Sequence, residues 1–200
     1  MLTRRQEYAD ATRNAVLHAA ESLLVGQDGR EVSIDEVAAA ARVSKGTVYH
    51  HFADKSALFE AVYRRQLTWA AAALEAAASK HGDPWRQLWA LAQAYLEAEA
   101  GESRDGRALR AAPELIGVER ARRLEEELLA PSFRQVLDRL SASRQLVAGD
   151  PAVLVSLTLG LLREGALVAA AGRADGETTH RSQVLKGVQA MLRGLDRSRG

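Results

Sequence analysis

Residues 33–58 read SIDEVAAAARVSKGTVYHHFADKSAL, and this stretch decides the fold. Ser33 and Glu36 stand at the spacing of a capping box, in which hydroxyl and carboxylate each satisfy an orphan backbone N–H at a helix start. Val32 and Val37 flank that cap as a hydrophobic staple. Asp35 and Glu36 suit the positive end of the helix. Ile34, Val37, Ala38 and Ala41 recur at i, i+3, i+4 and i+7, a single buried stripe on a helix thin enough for neighbours to cross closely.

After a short turn at Arg42-Val43, Ser44 caps a second helix of a different character. Its first turn holds Lys45, Gly46 and Thr47; Val48 is the inward aliphatic residue and Phe52 anchors the far end. Burial alone does not account for so short and polar a helix. Laid in a DNA major groove, such a helix presents its first turn to base edges. Gly46 sacrifices roughly 1 kcal/mol of helix propensity relative to alanine, which makes sense where the backbone must approach DNA closely. Tyr49, His50 and His51 carry donors for phosphate oxygens, and Lys55 sets a cation beside the N–H groups opening the next helix. The blander alternatives stand beside this reading: capped helix pairs occur in many helical proteins, and adjacent histidines are commonly solvated.

The run Ser44-Lys45-Gly46-Thr47-Val48-Tyr49-His50-His51-Phe52, then Asp54-Lys55 and Leu58, resembles the DNA-binding end of TetR-type regulators over roughly residues 8–68. The resemblance implies an all-α chain: a DNA-binding domain at 8–68, with its helix-turn-helix at about 33–52, and a helical ligand-binding and dimerisation domain at 69–200. It implies a dimeric repressor released from a pseudo-palindromic operator in double-stranded DNA by a small, largely apolar effector. The candidate DNA contacts are Ser33, Ser44, Lys45, Gly46, Thr47, Tyr49, His50, His51 and Lys55. Lys45 and Thr47 are assigned to base edges, and Tyr49, His51 and Lys55 to phosphates. Two features depart from the family pattern. Arg42 stands where the turn usually has glycine, and Asp35 and Glu36 bring acid close to the DNA-facing pair.

Outside this head the pattern is helical almost throughout. Arg4 to Leu24 predicts an amphipathic helix with Val16, Ala19, Ala20, Leu23 and Leu24 inward, ended by Gly26-Gln27-Asp28-Gly29. Arg4, Arg5 and Arg13 near its start are as readily solvated as they are DNA-facing. The helix opened by Asp54 runs to about Ala78 without a breaker, a lever between two domains. Further helices are expected near 84–100, 104–112, 113–129, 131–146, 151–171 and 177–195. Asp83-Pro84 and Asp150-Pro151 read as N-cap and N1, whereas Pro113 and Pro131 should kink or split their helices.

The last two helices are apolar over wide arcs, and the resemblance implies a four-helix dimer interface there, with Leu154, Leu161, Val184, Leu185, Val188 and Leu192 as candidates. Core packing within one chain is the competing reading. Trp69, Trp85, Trp89 and Tyr95 are candidate walls of an effector pocket, with Arg110, Glu114, Arg163 and Glu164 as its polar groups. They are equally readable as core aromatics and surface charges.

The net charge of +1 argues against a general polyanion binder, although a specific reader needs only one positive face. With no cysteine, neither a disulfide framework nor a thiolate metal site is available, and no cofactor is expected. The charged N-terminus lacks the apolar core of a signal peptide. The apolar run Pro151–Leu162 meets Arg163-Glu164 and reads as too short to cross a bilayer, so a cytoplasmic protein without membrane contact is expected. Two other functions compete. One is an enzyme using His50, His51 or His81, which lacks a nucleophile constellation, a phosphate loop and a paired-carboxylate motif. The other is a helical interaction module that has lost DNA binding.

Overall fold

The computed structural model describes residues 3–26, 32–100, 109, 113–146, 149–174 and 179–197. The fold is all-α, in the order α1 (Arg4–Gly26), α2 (Ile34–Ala41), α3 (Lys45–His51), α4 (Lys55–Ala78), α5 (Pro84–Ala100), α6 (Val118–Leu128), α7 (Ala130–Ala142), α8 (Pro151–Ala174) and α9 (Thr179–Arg193). Packing divides it into two units. The first comprises the chain through Gln66 together with Leu109 and the described residues 113–122; the second comprises the remainder.

In the first unit α1 packs on α2 and α3, and α2 on α3. Val16, Leu17 and Ala20 of α1 are buried with Val37, Val48 and Phe52, and the start of α4 adds Leu58, Phe59 and Val62. The capping box of α2 is fully formed. The Ser33 N–H donates to the Glu36 carboxylate at 2.8 Å, and the Ser33 hydroxyl accepts from the Glu36 N–H at 3.2 Å. Val32 and Val37 are both buried beside it. Glu21 of α1 is buried as well, ion-paired to Arg65 and accepting from the Gln66 side-chain amide.

Arg42 resolves the question of the turn. It adopts the left-handed conformation (φ 56°, ψ 41°) that glycine would take, and the N–H groups of Arg42 and Val43 donate to Ala39 and Ala38 in the Schellman pattern. A side chain in this conformation costs roughly 1 kcal/mol. Arg42→Gly is therefore expected to raise stability by about 0.5–1 kcal/mol in urea melts, with the turn unchanged.

In the second unit α5 packs against α7, α8 and α9, and α8 against α7 and α9. Gly165 makes the α8–α9 approach possible: a Cβ there would lie 3.2 Å from Cγ1 of Val184. Helix ends differ from the sequence pattern where the backbone turns left-handed. The single helix expected at 113–129 is interrupted at Gly117 (φ 88°), so residues 113–116 form a short helical piece before α6. Pro131 falls in the first turn of α7, splitting it from α6 as expected. Arg144 (φ 54°) ends α7 at Ala142, short of the expected 146. The helix expected at 104–112 lies outside the described residues except for Leu109.

One reading is corrected. α8 covers the helix expected at 151–171, but its apolar stretch does not end at Leu162: Pro151–Ala171 is long and apolar enough by composition to cross a membrane. Its inner face, however, is occupied by α5, α7 and α9.

Candidate functional site

The polar tip of the first unit is built on the cap of α3. Ser44 accepts from the Thr47 N–H at 3.0 Å and shares a 2.8 Å hydrogen bond with the Thr47 hydroxyl, which fixes the start of α3. Val48 and Phe52 hold α3 from behind, so Ser44, Lys45, Gly46, Tyr49 and His50 face solvent, with Thr47, His51 and Lys55 half-buried at the margin. The His50 and His51 rings meet edge-on at 5.4 Å. A Cβ at Gly46 would make only an ordinary 3.7 Å contact with Ser44, so nothing within the described chain requires glycine there.

Two assigned residues are engaged within the chain, Lys45 in an ion pair the sequence pattern did not show and Ser33 in the expected capping box. Lys45 Nζ donates to Asp35 at 2.9 Å, joining the first turns of α2 and α3; this hydrogen bond and the carboxylate charge raise the lysine's pKa. The Ser33 backbone N–H and hydroxyl both donate to Glu36, which leaves Ser33 no donor for a phosphate. Arg13 is also engaged, its guanidinium 5.0 Å above the Phe52 ring.

The expected effector residues differ in burial and position. Trp69 is 51% exposed, Tyr95 is buried, and Glu114 is exposed and belongs to the first unit. Arg110 lies outside the described residues. Trp85 and Trp89 share a cleft. Arg163 is committed elsewhere, donating through Nε (2.9 Å) and a terminal nitrogen (2.6 Å) to buried Glu125. Glu164 is exposed on α8.

The Tyr95 hydroxyl is buried without a hydrogen-bond partner among the described residues. Burial, followed by the charges of Glu99 and Glu125 and opposed by Arg163, holds its proton well above the usual tyrosine range. The folded chain thus keeps this proton after the unfolded chain has released it. Its contribution to stability is constant below about pH 10 and falls as pH rises further. Tyr95→Phe is expected to add about 1 kcal/mol at neutral pH by deleting an unsatisfied group, and to flatten the alkaline loss, as checked by urea melts at neutral and alkaline pH.

The candidate interface residues divide by burial. Leu154, Val188 and Leu192 are buried within the chain, where α8 packs on α5, α7 and α9, and α9 on α8 and α5. Leu161, Val184 and Leu185 are half-buried. The open apolar surface lies one residue round α8, at Val153, Leu157, Leu167 and Val168, with Met191 on α9.

Comparison with known proteins agrees with this architecture. Residues 16–62 match the model of bacterial regulatory proteins of the tetR family, and residues 85–195 match the tetracyclin repressor-like C-terminal domain. The chain is 27% identical over 156 residues to the transposon Tn10 TetC protein of Escherichia coli, covering 78% of this chain and 79% of that one. It is 31% identical over 104 residues to the HTH-type transcriptional repressor BepR of Brucella suis biovar 1, covering 52% of this chain and 50% of BepR. A TetR-family transcriptional regulator from Pectobacterium atrosepticum superposes with a TM-score of 0.78 at 27% identity, over 98% of both chains. With both family models matched in order along the chain, this protein belongs to the tetR family of bacterial regulatory proteins and is a helix-turn-helix transcriptional regulator.

Proposed function

We propose that the chain is a homodimeric, effector-responsive repressor acting on DNA in the cytoplasm, with residues 8–68 as the DNA-binding domain and 69–200 as the effector and dimerisation domain. The observation that carries this reading is α3, a capped helix with one buried aliphatic residue, an exposed Lys45–Tyr49–His50 face, and a glycine the fold does not need. Lys45 and Thr47 read base edges from its first turn. Tyr49, His51 and Lys55 set the register on phosphates, with Ser44, Gly46 and His50 at the contact margin.

Two such heads meet successive major grooves about 34 Å apart, so the operator is a pseudo-palindrome. The dimer forms through the open α8 face and Met191 of α9. α4 is unbroken from Lys55 to Ala78 and carries effector-driven tilt to the head. Operator and effector favour different head spacings, which makes their binding mutually antagonistic. Repressor activity is supported by likeness to BepR.

The test is titration of a duplex carrying the region upstream of the protein's own gene. Lys45→Ala is expected to weaken that duplex about ten- to hundredfold and to relax sequence preference. Asp35→Asn, which releases Lys45, is expected instead to tighten random duplexes and steepen the salt slope by up to about one. Unchanged affinity and preference in Lys45→Ala would sink the groove assignment.

A further inference from the structure

Two adjoining clefts of the second unit meet at Trp85. The larger, about 430 Å³, runs between the start of α5 and the end of α9, with Trp85 and Trp89 on one wall and Leu192 opposite. The smaller, about 380 Å³, continues past Trp85 to the turn after α7. Both volumes fall within the range that holds small organic ligands.

The walls are fixed from three sides. Asp83 accepts from the Arg86 N–H at 2.8 Å and caps α5. The left-handed Arg144 turns the chain after α7. The tail beyond α9 is pinned to that turn, with the Arg197 N–H donating to the Gln145 carbonyl at 2.8 Å and Leu146 bridging Asp196.

The charge in these walls is one-sided. Arg86 and Arg193 line the larger cleft and Arg144 and Arg197 the smaller, against one carboxylate among the described lining residues, that of Asp196, shared by both. That is a concentrated cationic surface in a chain whose net charge is only +1. Indole faces take flat rings, and guanidinium forks take carboxylates through paired, charge-assisted hydrogen bonds.

We propose that this cleft binds a planar aromatic carboxylate of one or two rings, the ring against Trp85 and Trp89 and the carboxylate between Arg193 and the arginines beyond Trp85. The inference rests on the effector-responsive reading only where occupancy is taken to act on DNA, and it gives that effector a charge that the aromatic residues alone did not suggest.

The experiment uses the full chain with 2-naphthoate and its uncharged analogue 2-naphthamide, followed by calorimetry and by quenching of tryptophan fluorescence. Naphthoate is expected to bind more tightly than naphthamide. Arg193→Gln, an exposed position, should lower naphthoate affinity at least about tenfold and leave naphthamide unchanged. Trp85→Leu should weaken both probes; Trp85→Phe, which keeps a ring, should retain most of the affinity if Trp85→Leu proves unstable. Equal binding of the two probes, unchanged naphthoate affinity in Arg193→Gln, or dissociation constants weaker than about 1 mM for both would overturn the site. Operator affinity measured with and without naphthoate separates the two ideas. Variant-sensitive binding that leaves operator affinity untouched upholds the cleft and removes the effector reading from it.

Discussion

Leu157→Glu is expected to convert the protein to a monomer and to lower operator affinity by about two to four orders of magnitude, because a linked second head no longer adds its half-site. Leu157 is 64% exposed on α8, so the substitution leaves the fold of the chain intact. Two new carboxylates would face each other across a two-fold axis, beside the Glu164 already on that face. Leu154→Glu, three residues earlier on the same helix, is the control. Leu154 is only 9% exposed, and a buried carboxylate there is expected to unfold the second unit rather than divide a dimer. Sedimentation velocity with circular dichroism distinguishes the outcomes. A Leu157→Glu protein that remains dimeric would move the interface off α8.

Phe52→Ala is expected to cost about 3–5 kcal/mol, comparable with the whole stability of a small unit. The ring is buried at the end of α3, the α3 backbone closes on it through its N–H to the Val48 carbonyl, and Arg13 lies over its face. Loss of the ring removes what α3 leans on, since Val48 is its other buried contact. Hydrogen exchange should then show α1, α2 and α3 losing protection while α7 and α8 keep theirs, and DNA binding should vanish at temperatures where the second unit is still folded. Equal loss of protection in both units would mean that Phe52 supports the chain as a whole.

The sequence revealed most where the physics is local. A capping box needs two residues three apart, and Ser33 and Glu36 formed it. A helix of seven residues with one inward aliphatic side chain was recognisable from α3 itself. Long-range pairing left no such mark. Glu21 lies among the apolar residues of α1, and its partners Arg65 and Gln66 are more than forty positions away, so no periodic pattern could join them. Asp35 and Lys45 likewise meet across a turn whose left-handed geometry was itself in question.

Periodicity also tells which face of a helix is apolar without telling what covers it. That is why Leu154, Val188 and Leu192 read as interface and are core, while Val153 and Leu157 form the open face. The aromatics show the same limit. Trp85 and Trp89, one turn apart, share a cleft, but Tyr95 and Trp69 point into different surroundings. Gly117 was visible in the sequence, yet a lone glycine in a helical pattern is tolerated, and only its positive φ marks the break.

Glu21 bears on how regulators of this kind can be recombined. The family model for the DNA-binding end closes at residue 62, and a hybrid cut there would seem to carry a complete head. Glu21 travels with that head, whereas Arg65 and Gln66 stay behind with the body it came from. The transplanted head would keep a buried carboxyl whose two donors are replaced by whatever the recipient happens to place one turn beyond the seam. The natural seam for exchange lies after Gln66, where the clamp passes over intact, so that modularity in this chain is set by a hydrogen-bonded pair rather than by the end of a recognisable sequence pattern.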